Sequence, residues 1–352
     1  MVAWTNSGAA PRAERAASAM PLLVLLLVAV SVLSLGTGAA GLSLADLARG
    51  MTEGFSPRDL VILRDIRLPR LAMAALIGAA LAVSGALMQG LFRNPLADPG
   101  IVGVSAGAGL GAVLAIVLGG LLPAGLAAKA GAQVVPLAAF LGGWGATLLL
   151  YRLSTRAGRT SVATMLLAGI ALGALAGAVT GVLIYMADDR QLRDLTFWGM
   201  GSVAGASWAK LGAALPLILP VLLLSPLLAR GLNALALGEA QAQHLGFEVE
   251  RLKRFAILGV AAAAGAAVAV AGGIGFIGIV VPHLLRLATG PDHRFLLPNA
   301  ALLGASLLIG ADMLARTLVA PAELPIGIVT ATLGAPVFLW ILLRRHGLMG
   351  LS

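Results

Sequence analysis

Nine long stretches of this chain contain no Asp, Glu, Lys or Arg, and they limit the possible folds more than any other feature. They are 16–45, 71–92, 99–128, 130–151, 160–187, 211–229, 255–285, 295–311 and 324–343. A helix that crosses a bilayer needs about 20 apolar residues, so eight of the stretches suit one crossing each. The stretch 255–285 is too long for one crossing and breaks at 271–278, so it predicts two crossings.

The stretches predict an all-α membrane protein with ten transmembrane helices in one domain, 1–352, because backbone groups in lipid must be hydrogen-bonded within their own segment. The helices are expected at about 20–40, 67–91, 100–121, 133–151, 162–186, 209–228, 255–271, 276–288, 296–318 and 326–343. Only 11% of the residues are charged, whereas soluble domains carry roughly 25%. The first stretch exceeds the roughly 7–15 apolar residues of a secretory signal, so it predicts an uncleaved helix.

The net charge of +9 is explained by topology rather than by a nucleic-acid partner. Lys and Arg concentrate in the segments that face the cytoplasm if the N-terminus is inside, which predicts that both ends of the chain are cytoplasmic. The chain has no Cys, which excludes disulfides, Cys-ligated zinc and a thiol nucleophile. Its lysines, Lys129, Lys210 and Lys253, never follow a glycine, so the chain has no P-loop for ATP.

Gly273, Gly275 and Gly278 match the spacing of a dinucleotide-binding fingerprint. That fingerprint requires a strand before the glycines and an acid about 20 residues after them. Here both flanks are apolar helices, so the glycines predict a tight turn between the seventh and eighth helices. Pro282 removes a backbone donor and is expected to kink the eighth helix. Irregular backbone at membrane depth lies in protein or beside a cavity, so this stretch is expected to face a pathway or a gate.

Glycine also recurs every fourth residue on two predicted helices. The glycines are Gly169, Gly173, Gly177 and Gly181 on the fifth helix, and Gly103, Gly107 and Gly111 on the third. Residues four apart share a helix face. Such a face lets helices approach closely in lipid, or it forms a smooth wall along a path for a bulky solute. Both interpretations stay open.

The inner segment 230–254 is too polar to cross the membrane and reads as two short helices separated near Gly246. It is either a docking element for a soluble partner or a solvated loop. Asp312 is the one carboxylate expected within a crossing, and its spacing from Arg316 suits a local ion pair. A proton relay is therefore disfavoured. The residues 78–85 and 265–272 are similar and lie five crossings apart, which indicates an inverted repeat.

Three motifs carry a family resemblance: "RLPRLAMAALIGAALAVSGALMQGLFRNPLADPGIVGVSAGAG" at 67–109, "GFIGIVVPHLLR" at 275–286 and "AELPIGIVTATLGAPVFLW" at 322–340. They resemble the iron-siderophore, heme and vitamin B12 family of ABC importer permeases. The resemblance implies ten crossings with an inverted repeat, and a homodimer around one central path in the bacterial inner membrane. It also implies two cytoplasmic ATPase subunits that hold ATP and Mg²⁺, and a periplasmic binding protein. The chain itself is then a non-catalytic permease that binds no cofactor and no metal.

The resemblance also assigns roles to particular residues. The stretch "ALGEAQAQHLG" resembles the coupling helices that press on the ATPase, which implicates Ala236, Leu237, Gly238, Glu239, Ala240, Leu245 and Gly246. Arg67, Arg70 and Arg316 resemble outer arginines that pair with glutamates of the binding protein, for which Arg is well suited. Arg70 and Arg316 could instead lie at helix ends or pair locally.

The substrate is read from the stretch "DDRQLRDLTFWGMGS" at 188–202, which resembles the heme-importing branch. The expected cargo is heme, delivered by a periplasmic heme-binding protein, with a ferric siderophore second and cobalamin third. Two hypotheses of other classes remain open at this point. They are a proton-coupled secondary carrier and a membrane scaffold without transport.

Overall fold

The computed structural model describes residues 10–38, 41–121, 123, 125 and 131–349, and this part of the chain is almost entirely helical. The helices are α1 (Ala10–Gly36), α2 (Leu44–Glu53), α3 (Pro57–Val61), α4 (Leu68–Leu91), α5 (Val104–Leu118), α6 (Val134–Ser154), α7 (Val162–Met186), α8 (Asp189–Met200), α9 (Trp208–Leu224), α10 (Ala229–Leu235), α11 (Glu239–His244), α12 (Val249–Ala271), α13 (Ile277–Thr289), α14 (His293–Ala315) and α15 (Ile326–Met349). Two short strands, β1 (Thr155–Arg156) and β2 (Arg159–Thr160), pair antiparallel between α6 and α7. The extreme chain ends, predicted to be cytoplasmic, and Lys129 lie outside the described residues.

Among the described residues, eight helical stretches are long and apolar enough to cross a membrane. They are Ser18–Gly36, Pro57–Leu91, Val104–Leu121, Val134–Ser154, Val162–Met186, Trp208–Leu235, Val249–Ala271 and His293–Ala315. Each coincides with a predicted crossing. The predicted eighth and tenth crossings correspond to the shorter apolar helices Ile277–Thr289 and Ile326–Trp340. The protein is therefore an all-α, multi-pass membrane protein, as the apolar stretches predicted.

Several helices extend beyond the predicted crossings. The second begins at Pro57 rather than 67 and continues through a π-helical stretch, Ile62–Arg67, into α4. The seventh, α12, begins at Val249 rather than 255, because charged residues end an apolar run without ending a helix. The early start of α12 corrects the prediction for the segment 230–254. Gly246, whose φ is 85°, separates the short helix α11 from the long helix α12, and does not separate two short helices.

Three helices form the centre of the bundle. In the most apolar part of each, the buried share is 78% for the stretch containing α4, 67% for α12 and 61% for α14. The same measure is only 6% for α1 and for α7. Because α7 has little cover within its own chain, most of its surface is available to lipid or to another molecule.

Glycines set the closest helix crossings. A Cβ on Gly78 or Gly304 would collide with the backbone carbonyl of the other residue, where α4 crosses α14. A Cβ on Gly107 would collide with the carbonyl of Gly142 in the same way, where α5 crosses α6. Gly111 is packed similarly against Ala138. The glycine stripe on the third predicted helix is thus used for helix packing.

The stripe on the fifth predicted helix is different. A Cβ on Gly173, Gly177 or Gly181 would meet no atom within 4 Å in the described part of the chain, apart from the nearby backbone of its own helix. Packing inside this chain therefore does not explain these three glycines. Gly169 is half-buried on the same helix. The second interpretation, a smooth wall along a path, remains a prediction.

The glycines after α12 form the expected turn. Gly272 has a φ of 73°, and Gly273 donates a backbone hydrogen bond to Trp198 O at 3.3 Å. Ser202 N donates to Ala271 O at 2.7 Å, so the end of α8 and the turn hold each other. No strand of a βαβ unit is present among the described residues around the turn, and its contacts are those of helix ends.

The missing donor of Pro282 is replaced by a side chain. In a regular helix, the N–H of residue 282 would donate to Gly278 O, four residues earlier. Gln89 of α4 donates to that carbonyl through Nε2 at 3.2 Å and to Ile279 O at 3.3 Å. Arg286 donates in turn to Gln89 Oε1. The irregular start of α13 is thus anchored to the buried helix α4.

We expect Gly78→Ala to lower the midpoint of thermal unfolding in detergent, although Ala is the better helix former by about 1 kcal/mol. The added methyl group would have to displace the backbone of Gly304. The matched control is Gly310→Ala, which adds the same group to α14 where no atom lies within 4 Å, and which should leave the midpoint unchanged or raise it. Equal shifts in both variants would contradict the close crossing of α4 and α14.

Candidate functional site

The predicted coupling segment contains the short helix α11, which lies at the surface with one residue, Ala242, buried. The turn before α11 contains Gly238, whose φ is 121°, and whose backbone O accepts a hydrogen bond from Ala242 N at 2.9 Å. Leu237 is 66% exposed and Leu245 is 60% exposed, whereas Ala242 is buried. Two large apolar side chains therefore lie in the open on either side of a short helix, at what we call the inner end of the bundle.

Ala236, Ala240 and Gly246 are exposed on the same segment. With the two leucines that flank α11, these small residues give an exposed apolar surface, which lies beside the exposed Gln and His side chains of α11 itself. Such a surface suits contact with the groove of another protein. The structure thus brings the seven predicted coupling residues together, and their contact with an ATPase remains a prediction.

Glu239 is not a free charge on this surface. Its Oε2 accepts a hydrogen bond from Lys253 Nζ at 2.8 Å. Lys253 Nζ also donates to Glu250 Oε1 at 3.0 Å and to Thr160 O at 2.9 Å. The three donors of the ammonium group each have an acceptor. Lys253 is only 1% exposed. A buried charge is tolerated when it is paired and hydrogen-bonded, and here two carboxylates balance the positive charge and all three N–H groups have an acceptor.

The opposite end of the bundle, which we call the outer end, is held by Arg70. Its Nε lies 3.0 Å from both carboxylate oxygens of Asp312, and its Nη2 lies 2.8 Å from Asp312 Oδ1. Its Nη1 donates to Glu323 Oε1 at 2.8 Å. Asp312 is 2% exposed, so this pair joins α4 to α14 in a buried position. Asp312 also lies 3.6 Å from Arg316 Nε, the local pair that the spacing predicted.

Arg67 and Arg316 are buried at the same end. Arg67 Nη1 donates to Leu35 O and to Leu42 O. Arg316 Nη2 donates to the backbone O of Ser34 at 2.7 Å and to its Oγ at 2.6 Å. Both arginines thereby hold the end of α1 against the bundle.

The three arginines that were predicted to dock a binding protein are therefore turned inward in this chain. Arg70 and Arg316 both pair with Asp312, which is the alternative interpretation given for those two residues, whereas Arg67 contacts only backbone carbonyls. A docking role remains a prediction, and it requires them to exchange internal partners for a partner protein's glutamates. Other arginines lie exposed in the outer segments without such a requirement, namely Arg58, Arg64, Arg190 and Arg193.

A cavity of about 360 Å³ lies beside the glycine turn. Gly273, Gly275 and Gly278 line it together with Asp98 and Ser105. The turn therefore does border a cavity, as irregular backbone at membrane depth requires. Whether that cavity belongs to the transport path remains a prediction.

Asp98 corrects the expectation that Asp312 is the one carboxylate within the crossings. A Cβ on Gly278 would lie 3.3 Å from Asp98 Oδ2 and 3.2 Å from Leu81 O. Leu81 lies ten residues before the end of α4 at Leu91, which places this point about 15 Å from that helix end. The chain after α4 thus folds back into the bundle, although its prolines and glycine read as a simple inner turn.

A second, polar cavity of about 590 Å³ opens near the inner end beside Ala236. Asp292 forms part of its wall and accepts hydrogen bonds from Asn233 at 2.7 Å and from Arg294 at 2.6 Å. Burial raises the pKa of Asp292, but these hydrogen bonds outweigh it and lower the pKa to about 2. The loop between α13 and α14 is therefore fixed by a permanently charged carboxylate.

These features define a class of protein: a multi-pass membrane bundle with a short helix flanked by two exposed leucines at one end and no nucleotide-binding motif in its sequence, which is the architecture of an importer permease. The chain belongs to the FecCD transport family, whose profile matches residues 25–344. It is 50% identical over 324 residues to the hemin transport system permease protein HmuU of Yersinia pestis, covering 92% of this chain and 95% of that protein.

Two further relatives agree. The vitamin B12 import system permease protein BtuC of Shigella boydii is 46% identical over 329 residues, covering 92% of this chain and 94% of that protein. A solved metal-chelate type ABC transporter in an inward-facing conformation matches with a TM-score of 0.81 and 34% identity, covering 92% of this chain and 98% of that chain. The chain is therefore the permease component of an ABC importer. Proteins of this family work with ATPase and substrate-binding partners, and the ATPase is a separate subunit.

Lys253 and Asp98 are central to the sites, and the sequence pattern singled out neither of them. A usable signal existed for Lys253, because it is one of only three lysines and lies three residues after Glu250. Its contact with Glu239, fourteen residues away across a turn, had no such signal. Asp98 resembled an ordinary turn residue between two prolines.

We expect Asp312→Asn to destabilise the protein strongly. The substitution leaves Arg70 buried with one partner fewer, and breaking a buried ion pair costs about 3–5 kcal/mol. Glu323→Gln removes the other partner, whose side chain is 39% exposed, and should cost less than about 1 kcal/mol. Unfolding of the purified variants in detergent measures the difference, and equal losses would contradict the central role of Asp312.

Proposed function

We propose that this chain imports heme from the periplasm to the cytoplasm as the permease of a bacterial inner-membrane ABC importer. In this proposal it forms a homodimer with one central path, both ends of each chain face the cytoplasm, and a periplasmic heme-binding protein delivers the cargo. Two cytoplasmic ATPase subunits bind ATP and Mg²⁺ and drive the cycle. This chain contributes the path and the coupling surface.

The observation that carries the proposal is the 50% identity to a hemin permease over 92% of the chain. The stretch 188–202, which resembles the heme-importing branch, contains α8, whose end packs against the glycine turn. This stretch therefore lies close to the cavity that Asp98 lines. The position supports a role in shaping the path.

The uncovered face of α7 supports a dimer around a path. Packing inside the described chain does not account for its glycines, and a second copy or a passing solute on this face would. A wall of glycines offers few hydrogen bonds and little shape selection. The choice of cargo would then rest mainly with the binding protein.

Cobalamin is the second candidate cargo, because a vitamin B12 permease is 46% identical over nearly the same length. A ferric siderophore is the third, in line with the metal-chelate type transporter of similar structure. All three are bulky chelates. A permease with a smooth path could carry any of them once a binding protein presents it.

We expect hemin to accumulate in proteoliposomes that contain the chain with its own ATPase and binding protein, and only when ATP and Mg²⁺ are present on the ATPase side. Cyanocobalamin and a ferric siderophore serve as parallel cargoes. An uncoupler that collapses the proton gradient should leave uptake unchanged, which separates the importer from a proton carrier that would use Asp98. ATP-driven uptake of cyanocobalamin without uptake of hemin would overturn the assignment of heme.

We also expect Leu237→Asp and Leu245→Asp to weaken binding of the ATPase subunit, because each places a charge on the apolar surface beside α11. Leu44→Asp is the matched control, since Leu44 is 41% exposed at the outer end. A pull-down with the purified ATPase measures binding. The coupling surface is wrongly placed if all three variants bind alike.

A further inference from the structure

We propose that Lys253 is a positioning residue that transmits movement of the coupling helix α11 to α7, the helix with the uncovered glycine face. The proposal rests on the proposed coupling of α11 to an ATPase and names the route by which a push on α11 reaches the path. We call Lys253 with Glu239, Glu250 and the backbone of Thr160 the lysine clamp.

The lysine clamp joins three elements that are distant in sequence. Glu239 begins α11, Glu250 and Lys253 lie in the first turns of α12, and Thr160 ends the hairpin between α6 and α7. Lys253 Nζ lies within 3.0 Å of an acceptor on each element. A displacement of Glu239 therefore acts on Thr160 through a single buried ammonium group.

Thr160 is held from both sides. Its carbonyl accepts from Lys253, and its N–H donates to Glu250 Oε2 at 2.8 Å. The next residue, Ser161, is the N-cap of α7, and its Oγ accepts from Thr164 N at 3.2 Å. Ser161 N donates to Ser154 O at 2.9 Å, which closes the hairpin. A displacement of the lysine clamp would therefore displace the first residues of α7.

The exposed ion pair between Arg251 and Glu248, at the start of α12, serves as a comparison for Lys253. Arg251 lies 3.6 Å from Glu248, and their side chains are 61% and 74% exposed. Lys253, two residues later, has a side chain that is 2% exposed, and it uses all three donors. A compact ammonium suits three acceptors in different directions, whereas the planar fork of Arg does not.

The test uses the full complex in proteoliposomes and measures hemin transported per ATP hydrolysed. Lys253→Met should lower this ratio by about tenfold, and Glu239→Gln by about threefold, while ATP hydrolysis and binding of the ATPase subunit persist. Arg251→Met, which removes an exposed charge from the same helix end, should stay within about twofold of wild type. Glu239→Gln leaves Lys253 paired with Glu250 and Thr160, so it decides the question if Lys253→Met does not fold.

A purely structural role predicts something else. Hydrolysis and uptake would then fall in parallel, as fewer complexes assemble, and the ratio would not change; that result overturns the proposal. Wild-type ratios in Lys253→Met and Glu239→Gln overturn it as well. If the wild-type complex carries cyanocobalamin instead of hemin, the assignment of cargo fails, and the same ratio measured with cyanocobalamin still tests the lysine clamp.

Discussion

Direct contact between helix backbones is the constraint on which this bundle depends. Lipid tails are as apolar as leucine side chains, so helices in a membrane gain little by hiding apolar surface from lipid and must associate through close packing. Gly78 and Gly304 allow this between α4 and α14, and Gly85 and Gly278 allow it between α4 and α13. The close approach also brings Gln89 to the carbonyl that Pro282 leaves without a donor. The close packing of α4 thus holds the centre of the bundle together and also supports the irregular start of α13.

Two buried cations that are well supplied with hydrogen-bond acceptors, Arg70 and Lys253, connect helices at the two ends of the bundle in different ways. At the outer end, the fork of Arg70 grips Asp312 and fixes α4 to α14, two helices of the rigid centre. At the inner end, the ammonium of Lys253 links the exposed helix α11 to the start of α7, a helix with little cover in its own chain. The first arrangement joins two buried helices, and the second joins a surface element to a peripheral helix.

Much of the fold was predictable because lipid imposes a simple rule on sequence. In the described part of the chain, the absence of charge over about 20 residues located the eight helices that are long enough to cross a membrane and two shorter apolar helices. Helix ends were harder to predict. The helix α12 starts at Val249 because Arg251 and Lys253 are good helix formers as well as charges, and hydropathy registers only the charge. The fold-back that buries Asp98 gave no signal, since a loop that re-enters the bundle has the composition of any other turn.

The sequence alone determined that this protein is a helical membrane bundle, that it carries no ATP-binding loop, and which family it resembles, because these properties depend on local composition and on motifs. Only the tertiary structure decided which glycines pack and which stay open, since identical four-residue spacings on α5 and α7 meet a neighbouring helix in one case and empty space in the other. It also decided that the three outer arginines point inward and that Lys253 meets Glu239. Contacts between distant segments arise from the arrangement of helices in space, and spacing along one helix cannot encode them.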